Sequence, residues 1–101
     1  MKQKNDLEPL DGGIAVGAYL RYLRDKQGLH AKEIAEKIGT NQTQVWRIEN
    51  WHSDVRSSLI FRHIRVVGGD ANDVELLINN PAATVEDGEA LAKLRLSIKK
   101  R

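Results

Sequence analysis

Apolar positions along this chain recur at steps of three and four residues, the spacing that places side chains on one face of an α-helix. Between Ile14 and Gln27, Val16, Leu20 and Leu23 fall on one side, and Gly28 closes the run. Within it, Gly17 weakens a helix by ~1 kcal/mol relative to alanine, and its expected use is to let another helix pack close. Ile34, Ala35 and Ile38 form a second stripe ending at Gly39, and Val45 and Ile48, with His52 as a candidate third member, form the next. A fourth helix is expected from Ile60, Ile64 and Val67, capped by Ser57 or Ser58 and stopped by Gly68 and Gly69. Asp70 to Asp73 has the form of a capping box with Asp at its fourth position, opening a fifth helix through Val74, Leu77 and Ile78 that Pro81 ends. Beyond it, Thr84 to Asp87 again resembles a cap, and Val85, Leu91, Leu94 and Ile98 recur at helical spacing. The pattern predicts an all-α chain. A flexible arm occupies 1–13, five helices occupy 14–80, and a C-terminal amphipathic helix lies within 82–101. A lone amphipathic helix beyond a finished domain must fold back, pair with a twin or stay partly disordered.

Residues 33–50, EIAEKIGTNQTQVWRIEN, carry the most information. Two short helices are joined by a turn at Gly39, where glycine accepts the positive φ that commonly ends a helix. Thr40 and Asn41 follow as residues whose side chains accept bonds from free N–H groups of the next helix. This arrangement is a helix-turn-helix. Opposite Val45 and Ile48, the second helix displays Gln42, Thr43, Trp46, Arg47 and Asn50. Solvating faces favour Lys and Glu, whereas amides, a guanidinium, a hydroxyl and an indole suit base edges in a DNA major groove. Amides pair both edges of adenine, arginine pairs O6 and N7 of guanine, and threonine or tryptophan touches a thymine methyl. For Trp46 three roles stay open: contact with DNA, packing over the domain edge, and a protein interface.

Charge changes this picture little. The 101 residues are 41% hydrophobic, enough for one small domain, and 16 basic against 14 acidic residues give a net +2. A pI near 9.0 permits nucleic-acid binding without demanding it. With no cysteine there is neither a disulfide framework nor a thiolate metal site. His30, His52 and His63 lack ligand-like spacing, so no metal or other cofactor is expected. No apolar run is long enough to span a membrane, and the first residues lack the apolar stretch of a signal peptide, so the expected location is cytoplasmic. Lys2 and Lys4 could reach phosphates from the arm, and the closing Lys99, Lys100 and Arg101 suit the carboxyl end of a helix.

The stretch GAYLRYLRDKQGLHAKEIAEKIGTNQTQVWRIEN resembles the phage-repressor (Cro/repressor, XRE-like) helix-turn-helix family, through LRYLR, the GL before the second helix, EIAEKIG and VWRIEN. The likeness covers roughly 14–80. It implies a five-helix repressor-like fold whose third helix, about 42–51, lies in the major groove, and a homodimer on a two-fold operator. Gln42, Thr43, Trp46 and Arg47 fall where the family presents side chains to bases, and Arg24 and Glu49 where it often has an internal ion pair. Three positions depart from the family pattern. Ala31 replaces a common phosphate-touching glutamine, with Lys32 a candidate substitute, and His30 replaces the usual Thr or Ser cap. Trp51 stands where a glycine commonly ends the third helix, so that helix is expected to run on through His52 or to close with Asn50 left-handed.

Lys32, Thr40, Asn41, Gln44, His52 and Arg56 lie at helix amino ends or in the loop after the third helix, and are the candidate phosphate contacts. The expected function is sequence-specific binding of double-stranded DNA by a transcriptional regulator of the repressor kind. An alternative is an antitoxin-type interaction protein with an autoregulatory helix-turn-helix, in which 82–101 holds a protein partner. Leu91, Leu94 and Ile98 are the candidate dimer or partner contacts. No catalytic Ser/His/Asp set, metal cluster or phosphate-cradling glycine loop is visible, so no enzyme is expected.

Overall fold

The computed structural model describes residues 12–52 and 55–99, and among these there is no strand. Among the described residues six helices follow one another: α1 Gly13–Lys26, α2 Ala31–Ile38, α3 Gln42–Glu49, α4 Ser57–Val66, α5 Ala71–Ile78 and α6 Val85–Lys99. They form one compact all-α domain with a radius of gyration of 13.3 Å, the size expected for about 100 residues. Among the described residues no helix is long and apolar enough to cross a membrane. The expected arm and its Lys2 and Lys4 lie outside the described residues, as do Lys100, Arg101 and the Lys99 side chain. Gly12 and Gly13, read as the end of that arm, are instead buried in the fold, with the Gly12 N–H donating to the Ile78 carbonyl at 3.2 Å.

One core joins all the helices. Val16, Tyr19, Leu20 and Leu23 of α1 meet Ile34 and Ile38 of α2, Val45 and Ile48 of α3, Ile64 of α4, Val67 just beyond it, and Val74 and Leu77 of α5. Turn chemistry spaces the elements. Gly39 takes φ 80° and the Thr40 N–H closes on the Ala35 carbonyl at 2.8 Å, ending α2. The Asn41 side chain then accepts from Gln44 N–H at 2.9 Å, opening α3. Two expected caps differ. Arg56, not a serine, occupies the cap position of α4 and makes no side-chain cap bond. At α5, Asp70 accepts from Asn72 N–H, but Asp73 does not reach back. Asp73 is buried and takes the Tyr19 hydroxyl at 2.7 Å and the Arg95 guanidinium at 2.9 and 3.0 Å, because inside the fold it has charged and polar partners that the cap cannot offer. Burial is the largest influence on the Tyr19 phenol and pushes its pKa well above the ordinary value, with Asp73 adding to the rise.

Helix α6 folds back along α1 on small residues, and part of its apolar stripe stays open. Gly88 and Ala92 are buried, Leu91 and Leu96 flank them, and Leu94 and Ile98 are exposed. Small residues face α1 because the backbones run too close for larger ones: a side chain at Gly88 would overlap the Ala15 carbonyl. The Thr84–Asp87 capping box starts the helix, with reciprocal bonds of 2.9 and 3.1 Å. Arg95, paired with Asp73, ties its far half to α5. Gly17 serves α3 in the same manner, since a side chain there would overlap the Glu49 carbonyl.

Candidate nucleic-acid interface

Helix α3 is positioned from three sides. Val45 and Ile48 are fully buried, its last turn rests on Gly17 of α1, and Glu49 anchors it to α1 and α4. The Glu49 carboxylate accepts Arg24 Nε at 2.7 Å and Nη2 at 3.0 Å, and its Oε2 lies 2.9 Å from His63 Nε2. Arg24 also donates to the Leu29 carbonyl at 3.1 Å, so one guanidinium holds the α1–α2 connection and the end of α3 together. Burial would raise the Glu49 carboxyl, but the hydrogen bonds from His63 and Arg24 outweigh it and hold the pKa below the usual carboxylate range. The same pairing raises the Arg24 pKa. The sequence alone assigns His63 no structural role, although its place beside Ile60, Ile64 and Val67 puts it on the inward stripe of α4.

With Val45 and Ile48 turned inward, Gln42, Thr43, Trp46 and Asn50 are exposed, and Arg47 is half-buried. Trp46 is 56% exposed and does not pack over the domain edge. It stands against His52, with ring centroids 5.3 Å apart and planes tilted by 45°. His52 therefore does not join the inward stripe with Val45 and Ile48. The reason lies in how α3 ends. The helix stops at Glu49, and neither expected ending occurs: it does not continue through His52, and Asn50 is not left-handed. Trp51 itself takes φ 54°, with Trp51 N–H on the Ile48 carbonyl at 3.1 Å and His52 N–H on the Arg47 carbonyl at 2.8 Å. This is a glycine-type helix ending made by tryptophan. The left-handed conformation costs a non-glycine residue ~1 kcal/mol or more. Packing holds it, because the half-buried indole lies where a side chain on Gly13 would otherwise be. The turn brings His52 back across α3 beside Trp46.

At the amino end of α3 a concavity of about 410 Å³ is lined by Thr40, Asn41, Gln44, Arg56, Ser58 and Arg62, together with Gly39 and Leu59. Four of the six candidate phosphate contacts, Thr40, Asn41, Gln44 and Arg56, meet there. Lys32 is exposed on the first turn of α2, and His52 lies at the other end of α3; neither lines the concavity. Arg62 was missed. Its guanidinium donates to the Ile38 carbonyl at 3.1 Å, so the carboxyl end of α2 holds a cation beside the amino end of α3. Its only signal in the sequence is a position four residues after Ser58, one turn along α4. Two guanidiniums, hydroxyls, amides and the first turn of α3 make this a polar, cation-lined hollow suited to an anionic oxygen.

Leu91 packs against the core from α6, whereas Leu94 and Ile98 are 55% and 44% exposed. Among the described residues no group of three or more His, Asp or Glu side chains converges as a metal site requires.

The chain is similar to a protein of Herpetosiphon aurantiacus described as the uncharacterized 15.4 kDa protein in the HgiDIIM 5′ region. The two are 42% identical over 79 residues, 78% of this chain and 57% of the relative, so the chain spans little more than half of that protein's length. No family model matches the sequence. No solved structure matches it either.

Proposed function

We propose that this chain is a sequence-specific double-stranded-DNA-binding transcriptional regulator of the repressor type, a member of the phage-repressor-like helix-turn-helix class. In this reading α1 to α5 are the five-helix DNA-binding unit and α6 is its added C-terminal helix. Helices α2 and α3 are the reading pair, and α3 enters the major groove with Gln42, Thr43, Trp46 and Arg47 toward the bases. The Thr40–Asn41–Gln44–Arg56–Arg62 hollow takes a backbone phosphate, with Lys32 and His52 contacting the backbone on either side. The protein binds as a homodimer on a two-fold site, works in the cytoplasm, and is a binding protein rather than an enzyme. One observation carries the reading. The exposed α3 face, poor in solvating charge, runs directly into a cation-lined hollow at the same helix's amino end. Base-edge chemistry and phosphate chemistry thus adjoin on one surface, the division of labour that protein–DNA recognition needs. Selection of binding sites from random duplex DNA tests it: the expected product is a two-fold sequence with half-sites about one helical turn apart, and recovery of no preferred sequence refutes it.

A second reading rests on Leu94 and Ile98, large apolar side chains left open on α6. In this alternative the chain is an antitoxin-type interaction protein that autoregulates through its DNA-binding unit and holds a protein partner on that face.

A further inference from the structure

The Trp46–His52 pair has a chemistry that polar base reading does not use. An indole exposed on the same side as Gln42 and Thr43 is unusual, because tryptophan is highly buried on average. It is also not a loose side chain. The left-handed turn at Trp51 and the His52 N–H bond to the Arg47 carbonyl fix the imidazole against it. Asn50 Nδ2 donates to the Trp46 carbonyl at 2.9 Å and braces the same turn. The result is a propped aromatic plate on an otherwise polar face.

A flat ring with one N–H donor and no acceptor cannot make the two-point pairing with adenine N6 and N7 that an amide makes. The C5-methyl of a pyrimidine is the apolar group that a base edge offers in the major groove. From this match we infer that Trp46, held by His52, is the specificity-determining contact for a pyrimidine C5-methyl at one fixed position in each half-site. The inference rests on the DNA-binding reading above and deepens it. Thymine and 5-methylcytosine both carry the group, and the Trp46 surface takes the methyl from either.

The test uses the full chain and its selected operator, with each thymine replaced in turn by deoxyuridine and each cytosine by 5-methyldeoxycytidine. Both exchanges leave Watson–Crick pairing intact and change only the methyl. At one position per half-site, losing the methyl weakens binding roughly fourfold, the factor for one buried methyl group, and roughly sixteenfold when both half-sites are changed. If the group read is that of a methylated cytosine, methylation at that position strengthens binding by the same factor. Trp46→Ala abolishes the methyl effect at that position, and His52→Ala shrinks it. Both side chains are exposed, so circular dichroism and unfolding midpoints stay near wild type. A protein that binds its operator yet responds to no methyl, or a methyl effect that survives Trp46→Ala, overturns the inference and leaves the DNA-binding reading standing. Failure to select any site overturns both.

Discussion

Replacing Glu49 with alanine removes the residue that fastens α3 to its scaffold. Glu49 is 7% exposed, and its carboxylate accepts three hydrogen bonds, two from Arg24 and one from His63. Breaking a buried pair by deleting one partner costs about 3–5 kcal/mol, because the remaining charge is left uncompensated. Arg24 keeps 17% of its side chain exposed and can recover some hydration, but His63 keeps none. The loss expected for Glu49→Ala is therefore at the lower end, about 3 kcal/mol, against total stabilities of about 5–15 kcal/mol. In urea titrations followed by circular dichroism, a slope of about 1.5 kcal/mol/M turns this into a midpoint lowered by about 2 M. The pH dependence follows from the depressed Glu49 pKa. The native state resists protonation below the unfolded carboxyl value of about 4.3. The stabilisation is thus complete above that pH and disappears as pH falls through the native pKa. Glu49→Ala should flatten this acid limb as well as lower the plateau. A loss below about 1 kcal/mol, with an unchanged acid limb, would refute the claim that this cluster holds the helix.

Two further outcomes follow from α6. Gly88→Ala should lower the thermal midpoint, because overlap with the Ala15 carbonyl, at about 1–3 kcal/mol for overpacking, outweighs the ~1 kcal/mol that alanine adds to helix propensity; a raised midpoint would mean that the two helices are free to separate. The double variant Leu94→Lys, Ile98→Lys leaves the buried Gly88–Ala92 face untouched, so its circular dichroism should match wild type while analytical ultracentrifugation reports a monomer in place of a dimer. An unchanged dimer that loses a co-purifying protein would favour the antitoxin-type reading instead. Deleting 82–101 is a poorer probe of this surface, because it uncovers α1 and disturbs the fold at the same time.

The all-helical character and the glycine turn at Gly39 were legible because local signals coincide there: apolar spacing, a residue free to take positive φ, and a capping Asn41. The face of α6 was not, since periodicity marks Leu91, Leu94 and Ile98 whereas close approach to α1 selects Gly88 and Ala92, and small residues leave little hydrophobic signal. Asp73 reads as a cap from spacing alone, but Tyr19 and Arg95, 54 and 22 residues away, decide its direction. Trp51 is the clearest case. Local propensity opposes a left-handed tryptophan, and packing against Gly13, far off in the sequence, helps to sustain it. In the candidate site, Thr40, Asn41, Gln44 and Arg56 could be grouped by their places at helix ends, whereas Arg62 joins them through a bond to the Ile38 carbonyl that no spacing reveals.

In the proposed DNA-binding mode, base choice and phosphate affinity are divided between the α3 face and the hollow at its amino end. Affinities of Arg47→Ala and Arg62→Ala for the selected operator and for random duplex, each across a salt series, test this division. Arg47→Ala should cost about 1–3 kcal/mol on the operator and leave random DNA nearly unchanged, while Arg62→Ala should weaken both alike and reduce the salt slope by about 1. If both variants lower operator and random binding equally, or if the wild-type protein shows no preference between the two DNAs, the two surfaces do not divide base choice from phosphate affinity in this way.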